Sequence, residues 1–225
     1  MNARGIFVTG TDTGVGKTRA AVALIHALRA QGLRVAAMKP VSAGAVPDEL
    51  NEDVAALRAA CNVEVALRDM NPYAFDAPVA PHIAAAAAGV VIDIERIAAA
   101  YARLAAASDV VVVEGAGGWR VPLSGACDMA DLAARLGLPA ILVVGLKLGC
   151  LNHAILTAEA IRARGVAWAG WIGNRINPAM AQAEANIATL GSRLPGPCLG
   201  ILPFMPDADA GAVAHCLTLP EELAS

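Results

Sequence analysis

Apolar residues along this chain alternate between short unbroken runs and longer stretches at helical spacing, separated by glycine, proline or small polar clusters. Ile6–Thr9 is the first short run, and its length and glycine boundary predict a buried strand. Thr18–Ala30 is alanine-rich with helical periodicity, and Gly32 stands where a helix-ending residue takes a positive φ at little cost. Arg34–Lys39 reads as the next strand, halted by Pro40. Val41–Glu52 reads as a small-residue loop, and helical spacing returns over Asp53–Ala60. Met70–His82, with Pro72, Pro78 and Pro81, reads as a kinked surface connection. Ile83–Ala88 and Asp93–Ala107 follow as helices split by Gly89, and Asp109–Val113 is a buried-type strand.

The second half repeats the alternation. Met129–Leu136 and Leu151–Ala163 are predicted helices, and Ala140–Val144 and Val166–Ile172 predicted strands. Pro178–Leu190 reads as a helix with proline in its first turn, Cys198–Leu202 as a last strand, and the pattern fades beyond Pro206. Strands separated by helices of this length predict an α/β fold, a mostly parallel sheet with helices on both faces. No internal repeat or low-complexity linker interrupts the pattern, so residues 1–225 read as a single domain.

Composition narrows the picture. Hydrophobic residues are 57% of the chain, charged residues 16% and aromatics only 4%, which excludes general disorder and suits alanine-rich helices packed on aliphatic strands. The formal net charge is −3 and no basic tract is present, so neither nucleic acid nor an anionic membrane is expected as a partner. The longest apolar runs, around Ile83–Ile92 and Leu138–Leu146, fall short of the ~20 residues that span a bilayer. Thr9, Thr11, Asp12 and Thr13 interrupt any signal-peptide-like apolar segment. Cys61, Cys127, Cys150, Cys198 and Cys216 are scattered and odd in number, which points to a reducing cytoplasm rather than to disulfides or zinc. His26, His82, His153 and His215 are equally dispersed, with no metal-ligand spacing.

The densest chemistry lies in Gly10-Thr11-Asp12-Thr13-Gly14-Val15-Gly16-Lys17-Thr18, between a predicted strand and a predicted helix. Such a turn converges backbone N–H groups and a helix dipole on an anion, so it is expected to cradle a nucleoside triphosphate, ATP first among them. Lys17 would reach the β- and γ-phosphates and the Thr18 hydroxyl would ligate magnesium. The common pattern G-x-x-x-x-G-K-[ST] requires glycine at position 11; this chain has Thr11, with Gly10 one place early.

Ligands of such sheets bind beyond the carboxyl ends of the strands. Glu114 follows an all-valine run and precedes a glycine-rich stretch, the place of an acid that holds magnesium. Lys39 ends a strand, where a second ammonium can stabilise charge in phosphoryl transfer, although a solvated strand-end lysine fits the pattern as well. Asp53 opens a helix, and taken alone it fits a first-turn acid better than a metal ligand.

Together these residues resemble the dethiobiotin synthetase family of ATP-dependent cyclo-ligases. The matching segments are Val8-Thr9-Gly10-Thr11-Asp12-Thr13, Val15-Gly16-Lys17-Thr18, Lys39-Pro40-Val41, Asn71-Pro72-Tyr73, Pro81-His82, Val113-Glu114-Gly115-Ala116-Gly117-Gly118-Trp119, Lys147-Leu148-Gly149-Cys150-Leu151-Asn152-His153 and Ala169-Gly170-Trp171. The resemblance covers nearly all of residues 5–205, and the Glu-Gly-Ala-Gly-Gly-Trp and Lys-Leu-Gly-Cys-Leu-Asn-His blocks are its most specific parts. It implies carboxylation of 7,8-diaminopelargonate by CO2 to a carbamate, attack of the carbamate on the γ-phosphate of ATP, and ring closure by the second amine with loss of phosphate.

The same resemblance implies roles for particular residues. Lys17 and Lys39 become catalytic, and Thr18, Asp53 and Glu114 share a Mg2+ ion. Thr13, Gly14, Val15, Gly16, Arg19, Gly115, Ala116 and Gly117 join the ATP site, with Asn174, Arg175, Pro203, Phe204 and Met205 around the adenine. An asparagine amide can read the donor and acceptor on the adenine edge, which suits Asn174. Ser42 and Gly118 are expected to contact substrate, although the family hydroxyl after Lys-Pro-Val usually stands one place later than Ser42. The substrate carboxylate is expected at Gly149, Cys150, Leu151 and Asn152 from a second subunit of a homodimer, where helix N–H groups suit an anion and Asn152 could instead be a simple N-cap. In a different class, switch ATPases of the ParA/MinD type share the fold but carry an extra lysine where this chain has Asp12. Guanine specificity by Asn-Lys-x-Asp is also missing, the nearest segment being Asn174-Arg175-Ile176-Asn177.

Overall fold

The computed structural model describes residues 4–44, 49–205 and 210–223. Six strands, β1 (Arg4–Gly10), β2 (Val35–Met38), β5 (Val110–Glu114), β6 (Ala140–Gly145), β7 (Trp168–Asn174) and β8 (Cys198–Leu202), form one sheet in the order β2-β5-β1-β6-β7-β8. Every pairing in it is parallel, and two short strands, β3 (Val41–Ala43) and β4 (Tyr73–Phe75), form a separate parallel pair. The sheet is thus the parallel α/β type expected from the alternation of elements.

Alternate residues of the central strand divide between two cores. Ile6 and Val8 pack with Ala21, Leu24 and Leu28 of α1 (Lys17–Ala30) on one face. Phe7 packs on the other face with Met38, Val113, Ile97 and Leu104 of α5 (Ile94–Ala107), and Met129 of α6 (Met129–Leu136). A third cluster, around Leu142, Val144 and Trp171, lies under α7 (Cys150–Ala163) and α8 (Ala183–Arg193). Helices therefore cover both faces. Ala20, Ala21 and Ala23 of α1 have no exposed surface, and their small side chains let the helix lie close on the strands. Truncating fully buried Leu24 to alanine would cost about 2–5 kcal/mol, because transfer and cavity terms add.

Several local expectations need correction. Val41–Glu52 is not wholly loop: its first three residues are β3, and positions 45–48 lie outside the described residues. Met70–His82 is not a plain surface connection. It follows α3 (Leu67–Met70) and contains β4, and Met70, Tyr73 and Phe75 are buried. Tyr73 and Phe75 stack at 6.4 Å, and the Arg96 guanidinium lies 4.7 Å over the Tyr73 ring. Three-residue strands between prolines carry no readable period, so tertiary packing defines them.

The α8 helix begins at Ala183 rather than at Pro178, because Gln182 adopts φ 54° and Asn177 closes a turn by accepting from the Ala179 and Met180 N–H groups. The strand expected at Val166–Ile172 runs instead as β7 to Asn174, which brings that asparagine to the strand's carboxyl end. Of the unpatterned tail, positions 206–209 lie outside the described residues, and Ala210–Cys216 forms a 3-10 turn packed against α1. Among the described residues no helix is long and apolar enough to cross a membrane.

Candidate active site

The central strand β1 ends at Gly10, and α1 starts at Lys17. Between them the loop folds back on itself. A Cβ at Gly10 would meet Val15 Cγ2 at 2.7 Å and Lys17 Cδ at 3.1 Å, so the close approach that demands glycine falls at position 10 and leaves position 11 free to be threonine. Gly16 has φ 87°, and a Cβ there would lie 2.0 Å from Asn174 Nδ2. The Thr11 N–H donates to the Val143 carbonyl at 3.1 Å, anchoring the loop to β6. Lys17 is nearly buried and donates from Nζ to the Asp12 carbonyl at 2.9 Å, so its ammonium curls back over the loop.

Strand order brings the remaining charged groups to this loop. Glu114 is the last residue of β5, in register with Val8 of β1. Lys39 follows β2, the neighbour of β5 on its other side. Asp53 lies in the first turn of α2 (Glu52–Ala60), whose N-cap Asn51 accepts from the Asp53 N–H at 3.1 Å. The Thr18 hydroxyl sits 2.6 Å from Asp53 Oδ1 and 2.9 Å from Glu114 Oε1. Lys39 Nζ donates to Asp53 Oδ2 at 2.6 Å and to Glu114 Oε1 at 2.5 Å.

Two ammonium groups therefore balance two carboxylates in one cleft. Burial lowers Lys17 to about 8, and repulsion from Lys39 adds to it. Lys39 is also buried, but Glu114 and Asp53 outweigh that penalty and hold it above the ordinary lysine value. Asp53 is partly desolvated, yet Lys39 keeps it below the usual carboxylate range. Burial pushes Glu114 upward, with Lys39 opposing and Asp53 reinforcing the shift. Glu114 Oε2 is buried without a hydrogen-bond partner. A hydroxyl and two carboxylates, one of them with a spare buried oxygen, form a hard oxygen donor set suited to Mg2+.

A cavity of about 640 Å³ is lined by this cluster together with Ser42, Asn51, Gly117, Val79 and Pro81, the last at the start of α4 (Pro81–Ala87). Thr13, Gly14 and Ala116 also line it, and Gly118 lies beyond Gly117 against the Gly10 and Thr11 carbonyls. Gly115 packs against Phe7, under the cavity rather than in its wall.

A second group forms on the other flank of the loop. Asn174 is buried and donates from Nδ2 to the Val15 carbonyl at 3.0 Å, while its Oδ1 has no partner. Arg19 donates to the Met205 carbonyl at 2.8 Å, and the Arg175 N–H to the Leu202 carbonyl at 3.0 Å. The Arg175 side chain pairs with Glu184, and Phe204 and Met205 remain largely exposed after Pro203.

The segment Gly149–Asn152 lies apart from the cavity lining. Gly149, not Asn152, is the N-cap of α7, with φ 92°. The Cys150 side chain is buried and its N–H donates to the Lys147 carbonyl at 3.0 Å, so this donor is not free for an anion. Leu151 is partly buried and Asn152 exposed. Asn51, Val79 and Pro81 were not expected in the lining. The Asn-Glu-Asp cap signal could have flagged Asn51, whereas nothing in the local pattern marks the other two.

The parallel sheet, the looped strand-to-helix turn with its lysine and threonine, and the acid closing the adjacent strand define a P-loop NTPase-type fold. Solved structures agree. The septum site-determining protein MinD complexed with Mg-ADP from Pyrococcus horikoshii superposes with TM-score 0.56 at 18% identity, covering 96% of this chain and 87% of its own. MinD of Aquifex aeolicus superposes with TM-score 0.55 at 20% identity, covering 91% and 84%. These likenesses concern fold alone. A family model described as an AAA domain matches residues 4–212.

Sequence relatives are more specific. ATP-dependent dethiobiotin synthetase BioD of Aromatoleum aromaticum is 54% identical over 96% of this chain and 98% of its own length. Those of Xanthomonas oryzae pv. oryzae and Pseudomonas paraeruginosa are each 51% identical, covering 98% and 95% of this chain and 100% and 95% of their own. The chain belongs to the dethiobiotin synthetase family of ATP-dependent ligases.

Proposed function

We propose that this chain converts 7,8-diaminopelargonate, CO2 and ATP into dethiobiotin, ADP and phosphate. The observation that carries the reading is the convergence of Lys17, Lys39, Thr18, Asp53 and Glu114 in the lining of a cavity that Ser42, Val79 and Pro81 also wall. The charged residues suit a triphosphate, and the apolar part of the lining suits a small, largely aliphatic molecule with polar groups at one end.

The loop N–H groups and Lys17 bind the β- and γ-phosphates. Asn174 would offer its unpartnered Oδ1 to the adenine amine, one of its N–H groups being held by the Val15 carbonyl. Thr18, Asp53 and Glu114 would hold Mg2+, which when bound offsets phosphate charge. A substrate amine adds to CO2 with loss of a proton, giving a carbamate whose oxygen attacks the γ-phosphorus as the bond to ADP breaks. Lys39 and Lys17 place positive charge beside the carbamate and the transferring phosphoryl group, in a cleft where low polarity strengthens such contacts. The second amine then attacks the carbonyl carbon of the mixed anhydride, loses its proton, and phosphate leaves.

The chain acts as a single P-loop ligase domain over residues 1–225. Its five cysteines, all free, suit a reducing cytoplasm. A homodimer is part of this reading: Leu148, just before the helix start expected to receive a neighbour's substrate carboxylate, is 95% exposed, and Leu156, at the middle of that helix, 56%. Mass spectrometry tests the reaction. With 13C-bicarbonate, ATP and the diamine, the product should carry one labelled carbon in a cyclic urea; unlabelled or unchanged diamine would refute it.

A further inference from the structure

Asn71, at the C-cap of α3, commits its side-chain amide to Lys39, Ser42 and Tyr73. Its Nδ2 donates to the Lys39 carbonyl at 2.7 Å and to the Tyr73 carbonyl at 3.1 Å. Its Oδ1 lies 3.0 Å from Ser42 Oγ. Around it the Lys39 N–H donates to the Met70 carbonyl at 2.8 Å and the Tyr73 N–H to the Pro40 carbonyl at 3.3 Å. The α3 turn is itself fixed to α5 by the Asp69–Arg103 ion pair at 2.7 Å.

This geometry determines the polarity of Ser42. Two backbone carbonyls can only accept, so the Asn71 NH2 must face them and Oδ1 must face Ser42. Oδ1 cannot donate, so the single Ser42 hydroxyl proton is committed to Asn71. What Ser42 turns to the cavity is lone pairs alone. An acceptor-only hydroxyl, itself nearly buried, selects an N–H group and disfavours a carbonyl or carboxylate oxygen.

We propose that Asn71 is a positioning residue that makes Ser42 an acceptor for a substrate amine. The inference rests on the diamine reading given above and concerns how one end of that substrate is chosen. It does not require Asn71 to touch substrate.

The test is a double-mutant cycle with Ser42→Ala, Asn71→Ala and the pair, measuring KM for 7,8-diaminopelargonate and for ATP, with thermal unfolding as a check on folding. Loss of one hydrogen bond to an amine should raise the diamine KM about tenfold in each single variant and leave the ATP KM within about twofold. The double variant should lie within about twofold of Ser42→Ala alone, since Asn71 acts through it. Penalties that multiply to about a hundredfold, an unchanged diamine KM in Asn71→Ala, or an equal rise in the ATP KM would each overturn the proposal. Should Asn71→Ala not fold, Ser42→Ala decides: the preference for the diamine over its 7,8-dioxo analogue, measured by inhibition, should fall about tenfold, and an unchanged preference overturns the inference. Absence of any diamine turnover by the unaltered protein would instead count against the diamine reading.

Discussion

Lys39 Nζ lies 2.5 Å from Glu114 Oε1, with 4% of the lysine and none of the glutamate exposed. Two charges taken so far from water are held by each other and by Asp53, and removing one partner leaves a buried charge uncompensated, typically at ~3–5 kcal/mol. The ammonium also sits on the same two carboxylates that suit a divalent cation, so the two compete for their charge.

Lys39→Met is therefore expected to lower turnover by roughly 10²–10³-fold, the scale for losing one preorganised charge donor. It should also lower the melting temperature. Magnesium without nucleotide should raise that temperature more in the variant than in the unaltered protein, because the carboxylates have lost their internal cation. Near-normal turnover would show that the second cation of the reaction lies elsewhere.

Lys17 gives a pH signature. Its proton is held to about 8 in the folded chain, against 10.5 for an ordinary lysine. The unfolded chain therefore binds more protons between those values, and the Lys17 contribution to stability rises with pH across that window, the penalty being fully present below about 8. Nucleotide capture runs the other way, since a neutral amine cannot offset phosphate charge. kcat/KM for ATP should fall above about pH 8, and the fall in kcat should begin at higher pH because bound phosphate favours the charged lysine. Lys17→Arg should lose this alkaline limb; the same limb in the variant would assign it to another group.

Gly16→Ala meets two obstacles at once, a φ of 87° and an Asn174 nitrogen 2.0 Å from the new methyl. The variant should fold, since the sheet and α1 cores are untouched, yet bind ATP at least a hundredfold more weakly. Asn174→Ala should weaken ATP about tenfold, the scale of one buried hydrogen bond, and hardly alter the KM for the diamine. Calorimetric titration with a non-hydrolysable ATP analogue reads both. Tight binding by Gly16→Ala would contradict the geometry.

Leu148, just before α7, and Leu156, at its middle, expose apolar surface. Replacing both with aspartate should shift sedimentation from dimer to monomer and raise the diamine KM, while ATP binding persists. A monomeric variant with an unaltered diamine KM would separate dimerisation from the substrate site.

The parallel sheet was legible in the sequence because buried strands such as Val110–Val113 are unbroken aliphatic runs and the intervening helices carry their own period. The phosphate loop was legible because its glycines and Lys17-Thr18 are contiguous. The meeting of Lys39, Asp53 and Glu114 is implied by the strand-end rule and the family resemblance but not by any local pattern, since it depends on strand order: β5 lies between β1 and β2 although more than seventy residues separate Lys39 from Glu114. Pro178 misled for a physical reason. A helix-start proline also suits a turn, and Asn177 closes one there before Gln182 caps the helix that begins at Ala183. The clamp at Asn71 is not legible in the sequence because its partners, Lys39 and Ser42, are about thirty residues away and joined by side-chain amide contacts that leave no pattern.

Phosphate release with ATP, magnesium and bicarbonate, measured with and without 7,8-diaminopelargonate, tests the central claim most directly. Release should be near background without the diamine and rise in proportion to it, one phosphate for each ring closed. Phosphate release that ignores both the diamine and bicarbonate, yet rises with a protein or DNA partner, would contradict the ligase reading.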